Sequence, residues 1–109
     1  MPRTDGLPPG TLAMLVLRVL ATRPLHGYAI ALRIAQLSGD ELSVEEGSLY
    51  PALQKLLLKG WVKAEAAVSD TGRAVREYRL TPAGKRQLEI ERSNYHRVSA
   101  AIAAVLETA

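Results

Sequence analysis

Gly60-Trp61-Val62-Lys63-Ala64-Glu65-Ala66-Ala67-Val68-Ser69-Asp70-Thr71-Gly72-Arg73-Ala74-Val75-Arg76-Glu77-Tyr78-Arg79-Leu80-Thr81-Pro82 is where the pattern of the chain changes. Before Gly60, apolar residues recur at helical spacing. After it the period is two, with Val62, Ala64 and Ala66 alternating with Lys63 and Glu65. Such alternation marks a strand with one covered face. Ser69-Asp70-Thr71-Gly72 is a turn signal and Val75 to Leu80 is a second extended run, so the stretch predicts a hairpin. Residues two apart share a strand face, which groups Arg76, Tyr78 and Leu80. If Tyr78 and Leu80 cover a core, Arg76 lies beyond its edge, near the tip, and Arg73 nearer still. Thr81-Pro82 then reads as N-cap and first residue of a further helix.

Working back from the hairpin, three helical segments precede it. Apolar residues at 12, 15, 16, 19 and 20 form the stripe of the first, with a capping position at Gly10-Thr11. Met14 and Leu17 widen that stripe nearly all round, which predicts cover on more than one side. Thr22-Arg23-Pro24 stops it. His26-Gly27-Tyr28 opens the second, whose stripe is Ile30, Ile34 and Leu37 and whose end is Ser38-Gly39-Asp40, with Gly39 at positive φ. The third contains Glu46-Gly47-Ser48-Leu49-Tyr50-Pro51 and stops at Gly60. Ser43 and Glu46 make a capping-box pattern, so the preferred start is Ser43, with a local irregularity where Pro51 removes a backbone bond. A start at Ser48 is the alternative, which puts Pro51 in the first turn, where proline is tolerated.

Working forward, the last helix runs from Pro82 to about Glu107. Some 26 residues at 1.5 Å each make about 39 Å of helix, whereas a compact domain of about 100 residues has a radius of gyration near 13 Å. Much of it must project. Leu88, Tyr95 and Ile102 repeat at heptad spacing with Val98 and Val105 at companion positions, interrupted by Glu91. A symmetric dimer would bury this seam together with the surplus apolar surface of the first helix. The expected dimer contacts are therefore Leu12, Leu15, Val16, Leu88, Tyr95, Val98, Ile102 and Val105.

The 109 residues suffice for one domain, and 48% apolar content is that of a folded protein. With no cysteine, disulfides, thiolate zinc sites and Cys nucleophiles are excluded, and a cytoplasmic location fits best. Arg3 ahead of Leu12 to Leu17 has the look of an export signal. Pro8-Pro9-Gly10, Arg18 and the lack of a cleavage site before Arg23-Pro24 speak against that reading, and the run is too short to span a membrane. One Trp, four Tyr and no Phe do not make a platform for stacking exposed bases. The net charge of +3 is uneven: residues 1–54 sum to −1, residues 55–97 to +5 and residues 98–109 to −1. A basic middle can face a polyanion.

Three helices, a basic-tipped hairpin and a long last helix give a mainly α fold with a small β-hairpin, in the order of a winged helix-turn-helix. Residues 1–81 form the DNA-binding unit and 82–109 the dimerisation helix. In this fold the third helix enters the major groove and neighbouring groups grip phosphate. Leu49, Leu53, Leu56 and Leu57 should face the core, leaving Ser48, Gln54 and Lys55 outside and Tyr50 with a hydroxyl for phosphate. Gln suits adenine, and Lys suits guanine or phosphate. Glu45 and Glu46 complement the positive helix N-terminus. Tyr28 and Trp61 are expected to fill seams between helices and hairpin, and His26 to cap or order its turn. His96 has no second ligand at helical spacing, so no metal site is expected. No phosphate-cradling loop or nucleophile–base set indicates an enzyme.

Leu7-Pro8-Pro9-Gly10-Thr11-Leu12, Pro24-Leu25-His26-Gly27-Tyr28, Glu46-Gly47-Ser48-Leu49-Tyr50-Pro51-Ala52-Leu53, Gly60-Trp61 and Tyr78-Arg79-Leu80-Thr81-Pro82-Ala83-Gly84 together resemble the PadR family of bacterial transcriptional regulators. The resemblance covers nearly the whole chain, in order. It implies a homodimeric repressor of the short subgroup that binds double-stranded DNA, with the last helix at the dimer contact and a small-molecule effector site near it. It places Ser48, Tyr50 and Gln54 in the recognition helix, and Arg73 and Arg76 at the wing against phosphate or the minor groove. Drug-responsive members stack their ligand on a Trp of the last helix, where this chain has Tyr95 and no Trp. No cofactor is implied. A winged-helix module that dimerises but binds a protein instead of DNA is the rival reading, since fold alone does not fix function.

Overall fold

The computed structural model describes Leu7 and residues 10–108. Arg3, Pro8 and Pro9, used above in reading the N-terminus, lie outside these. The order is α1 (Thr11–Leu20), β1 (Leu25–His26), α2 (Gly27–Leu37), α3 (Glu46–Leu58), β2 (Val62–Val68), β3 (Ala74–Leu80) and α4 (Pro82–Leu106). The expected hairpin is β2–β3, in register from Val62 opposite Leu80 to Val68 opposite Ala74. The two-residue β1, not anticipated, adds an antiparallel third strand on the other side of β3, pairing Leu25 with Tyr78 and His26 with Glu77.

α1 is the axis of the core. Val16, Leu17, Val19 and Leu20 are buried, and Ile30, Ile34, Leu49, Leu53, Leu56, Val62, Tyr78 and Leu88 join them in one cluster. Leu12, Ala13, Met14 and Leu15 pack partly against it, so the wide apolar surface of α1 is covered by its own chain over much of its girth. At its start the cap is the backbone of Gly10 at φ 83, with no side-chain hydrogen bond. Leu37 departs from expectation: it shares the stripe of Ile30 and Ile34 but is 61% exposed. The core has ended by the last turn of α2, and Leu42 and Val44 of the following loop pack against the core instead.

α3 begins at Glu46, with Glu45 as a backbone-only N-cap. The Ser43–Glu46 capping box does not form, because Ser43 lies in the extended approach, two residues too early to face the first turn. Neither start read from the sequence is the one observed. Pro51 nevertheless sits inside the helix, where its missing N–H leaves the carbonyl of exposed Gly47 to water. At the far end Gly60 adopts φ 73, and the amides of Gly60 and Trp61 donate to Leu57 O (3.1 Å) and Leu56 O (3.0 Å). This left-handed closure, cheap only for glycine, turns the chain directly into β2. α2 closes in the same way at Gly39 and Asp40, with Asp40 N donating to Ala35 O at 2.8 Å.

The launch of α4 is held by one side chain. Thr81 Oγ1 accepts from Gly84 N (3.0 Å) and donates to Gly60 O (2.7 Å), while Thr81 N donates to Trp61 O (3.0 Å). The helix is thus fixed to the α3–β2 corner as well as to β3. Gly84 and Leu88 are its buried residues. Beyond Glu91 it runs almost wholly exposed, and the molecule extends 56 Å along its longest axis. Among the described residues no helix is long and apolar enough to cross a membrane.

Candidate nucleic-acid interface

Burial of Leu49, Leu53 and Leu56 fixes the rotation of α3. Its outward face is then Gly47, Pro51, Gln54 and Leu58, all exposed, with exposed Tyr50 on one flank and exposed Lys55 on the other. Ser48 is half-buried on the Lys55 side. Gln54 therefore stands at the centre of the face, and Ser48 contributes least to it.

On the Tyr50 flank a cleft of about 730 Å³ separates α3 from the wing, lined by His26, Tyr28, Glu46, Tyr50, Arg73 and Arg76 among others. Tyr50, Arg73 and Arg76 are thus brought together, while Ser48, Gln54 and Lys55 lie outside the cleft. The wing is built to expose its arginines. Ser69 N donates to Arg73 O (2.9 Å), Ser69 Oγ accepts from Arg73 N (3.2 Å), and Gly72 N closes back on Ser69 O (2.9 Å). Arg76 follows Tyr78 and Leu80 along their face to where the core has ended, its guanidinium 5.8 Å from the Tyr78 ring centroid, a stacking that holds the cation in place. Arg79, on the opposite face, is paired to Glu65 at 3.5 Å. Arg73 and Arg76 have no carboxylate partner among the described residues, so their charge is available to a ligand. Glu46 of α3 and Asp70 of the wing turn are the acidic side chains in this lining and subtract from it.

Tyr50 is braced. A Cβ on Gly27 would lie 2.7 Å from Tyr50 Oη and 3.0 Å from Cε1, so only glycine at the start of α2 lets the ring rest there. Gly27→Ala is expected to leave the melting temperature within about 3 °C, because the obstructed atoms are the free end of a side chain and alanine adds helix propensity. Tyr50 should swing outward, seen as an altered ring environment by NMR. A fall of 10 °C would show that Tyr50 cannot move.

Two ring expectations divide. Trp61 is half-buried against the core, with Lys59 Nζ 5.1 Å from its ring centroid. Tyr28, expected to fill a seam, is 68% exposed on the cleft wall. The N-terminal turn of α2 points it outward, and Gly27 gives the inward space to Tyr50. His26 is the N-cap residue of α2 but makes no side-chain cap bond. Its ring meets Tyr28 edge-on at 6.5 Å. The apolar expectations for dimer contact also need correction: Val16 (0%) and Leu88 (2%) are buried in the chain's own core. The hydrophobic residues left exposed on that seam are Tyr95, Val98, Ile102 and Val105, with Leu12 and Leu15 half-buried.

Helices α1 to α3 backed by a small sheet whose hairpin projects beside α3 define a winged-helix protein, here extended by a long α4. Residues 16–90 match the model of the transcriptional regulator PadR-like family. The transcriptional regulator Rv3488 of Mycobacterium tuberculosis is 39% identical over 77 residues, 71% of this chain and 68% of that protein. The uncharacterized 37.1 kDa protein in transposon TN4556 of Streptomyces fradiae is 46% identical over 86 residues, 79% of this chain; the chain spans only 23% of that relative. Among solved structures, a PadR family transcriptional regulator of Eggerthella lenta superposes with a TM-score of 0.78 at 30% identity, covering 92% of this chain and 85% of that one. The chain belongs to the PadR-like family of transcriptional regulators. The relatives that carry a functional name are transcriptional regulators.

Proposed function

We propose that the protein binds duplex DNA as a homodimeric repressor, residues 1–81 holding the DNA and residues 82–109 the partner. Each α3 enters a major groove, and the two lie about 34 Å apart, one turn of B-DNA. The observation that supports this reading is the cleft beside α3, lined by Tyr28, Tyr50 and two arginines that have no carboxylate partner among the described residues. That is the equipment of a phosphate backbone site. A small molecule bound where the two α4 helices meet would change the spacing of the two α3 helices, and with it affinity.

The double substitution Arg73→Ala, Arg76→Ala tests the cleft. Each phosphate contact contributes about 0.9 to the slope of log affinity against log salt. Fluorescence anisotropy on a duplex should show the slope falling by about 1.8 per chain, with similar weakening on all sequences. An unchanged slope would remove the wing from the interface. A wild-type protein with no salt-dependent duplex binding would favour the rival reading, a protein partner.

A further inference from the structure

The outward stripe of α3 differs from the cleft beside it in carrying no charge. Gly47, Pro51, Gln54 and Leu58 recur along one side of the helix and all are exposed, Leu58 at 78%. Pro51 weakens the helix through a lost hydrogen bond, and Gly47 adds backbone freedom in its first turn. Among the described residues no packing contact requires them: a Cβ built on Gly47 meets nothing within 4 Å, and Pro51 is exposed, away from the core. Cations stand to either side, Lys55 on one flank and Arg73 with Arg76 across the cleft on the other, where Glu46 and Asp70 share the lining. A slim neutral stripe with cations within reach on both sides complements a major groove, whose rims are phosphate and whose floor is uncharged base edges.

The stripe's chemistry also selects among base edges. Guanine is read by Arg or Lys and cytosine by Asp or Glu, and the stripe has none of these. What it offers is an amide, which suits adenine N6 and N7, and apolar surface, whose natural partner on the groove floor is the thymine C5-methyl. We infer that α3 reads A·T pairs at the centre of each half-site, Gln54 bonding adenine and Pro51 and Leu58 packing on thymine methyls. The absence of a side chain at Gly47 permits the close approach. This rests on the proposed DNA binding and deepens it.

The test uses the full chain. Duplexes are selected from a random pool, and each thymine of the bound site is then replaced singly by deoxyuridine, which deletes only the methyl. One or two thymines per half-site should lose about fourfold in affinity on replacement, the worth of one buried methyl, and replacements outside the half-sites should be neutral. Pro51→Ala should erase the thymine–uracil difference at one position without lowering the melting temperature. Gln54→Glu should shift the selected base at one position from adenine to cytosine. Tight, salt-dependent binding to half-sites centred on G·C pairs, or with every deoxyuridine neutral, would overturn the inference and leave the proposed function standing. Absence of binding to any duplex would overturn both.

Discussion

Gly84→Ala should cost at least about 3 kcal/mol, at the upper end of what overpacking does, and lower the melting temperature by more than about 10 °C. The added Cβ would fall inside the van der Waals envelope of the Trp61 carbonyl oxygen, and 2.8 Å from Leu80 Cδ1. A leucine methyl can move. The Trp61 carbonyl cannot, because it accepts from Thr81 N and belongs to the corner closed by Gly60. Any relief must lift the first turn of α4, breaking the bond from Gly84 N to Thr81 Oγ1 and drawing Leu88 out of the core. The contrast with Gly27→Ala is the point of the measurement: there the obstacle is the free end of Tyr50, here it is backbone. Thermal unfolding by circular dichroism of the two variants in parallel decides it, and equal melting temperatures would contradict the account.

Gly84 also shows where reading the sequence reached its limit. Gly39 and Gly60 announced themselves, because the reason for each is local: a helix ends and the chain must take positive φ. The reason for Gly84 lies 23 positions back, in the carbonyl of Trp61, and no periodicity carries that information. The same holds for β1, two residues long and strand only because β3 passes alongside. The Ser43–Glu46 pattern misled for the opposite reason. Its spacing was right, but a capping box is formed only if the backbone turns there, and tertiary packing of Leu42 and Val44 keeps the approach extended until Glu45.

For the candidate site, strand alternation carried furthest. Period two placed Arg76 on the face of Tyr78 and beyond the core, and there it lies. The leucines of α3 likewise fixed which side faces out, leaving Gln54 at its centre. What alternation could not show is competition for one space: Tyr28 is expected to fill a seam, but the room beside Gly27 is taken by Tyr50. Nor can a heptad pattern tell which apolar residues are spent within the chain. Leu88 fits the seam of α4 as well as Ile102 does, yet it lies over the core and is consumed there.

Ile102→Glu should convert the proposed dimer to a monomer. In the single chain Tyr95, Val98, Ile102, Val105 and Leu106 are 40 to 74% exposed along the projecting part of α4. That segment, past Glu91, has hardly any tertiary cover of its own. An exposed apolar stripe of this length calls for a partner, and a second copy would bury the same stripe reciprocally. A glutamate at Ile102 puts two carboxylates into that largely apolar seam, a burial that costs several kcal/mol. Dimer affinity should fall by at least about 100-fold, the equivalent of about 2.7 kcal/mol. Light scattering at about 10 μM should report one chain mass, 11.8 kDa, where the unsubstituted protein should report about twice that, and helical circular dichroism should drop as the end of α4 frays. On the proposed mode of binding, duplex affinity should collapse with it, since one winged unit would hold only one half-site. Ile90→Glu supplies the contrast. Ile90 is 62% exposed on a different side of α4, in a shallow surface with Ser93 and Arg97, and its substitution should leave the mass doubled. If Ile90→Glu gives the monomer and Ile102→Glu does not, the partner lies on that other side, and the heptad reading of α4 is wrong.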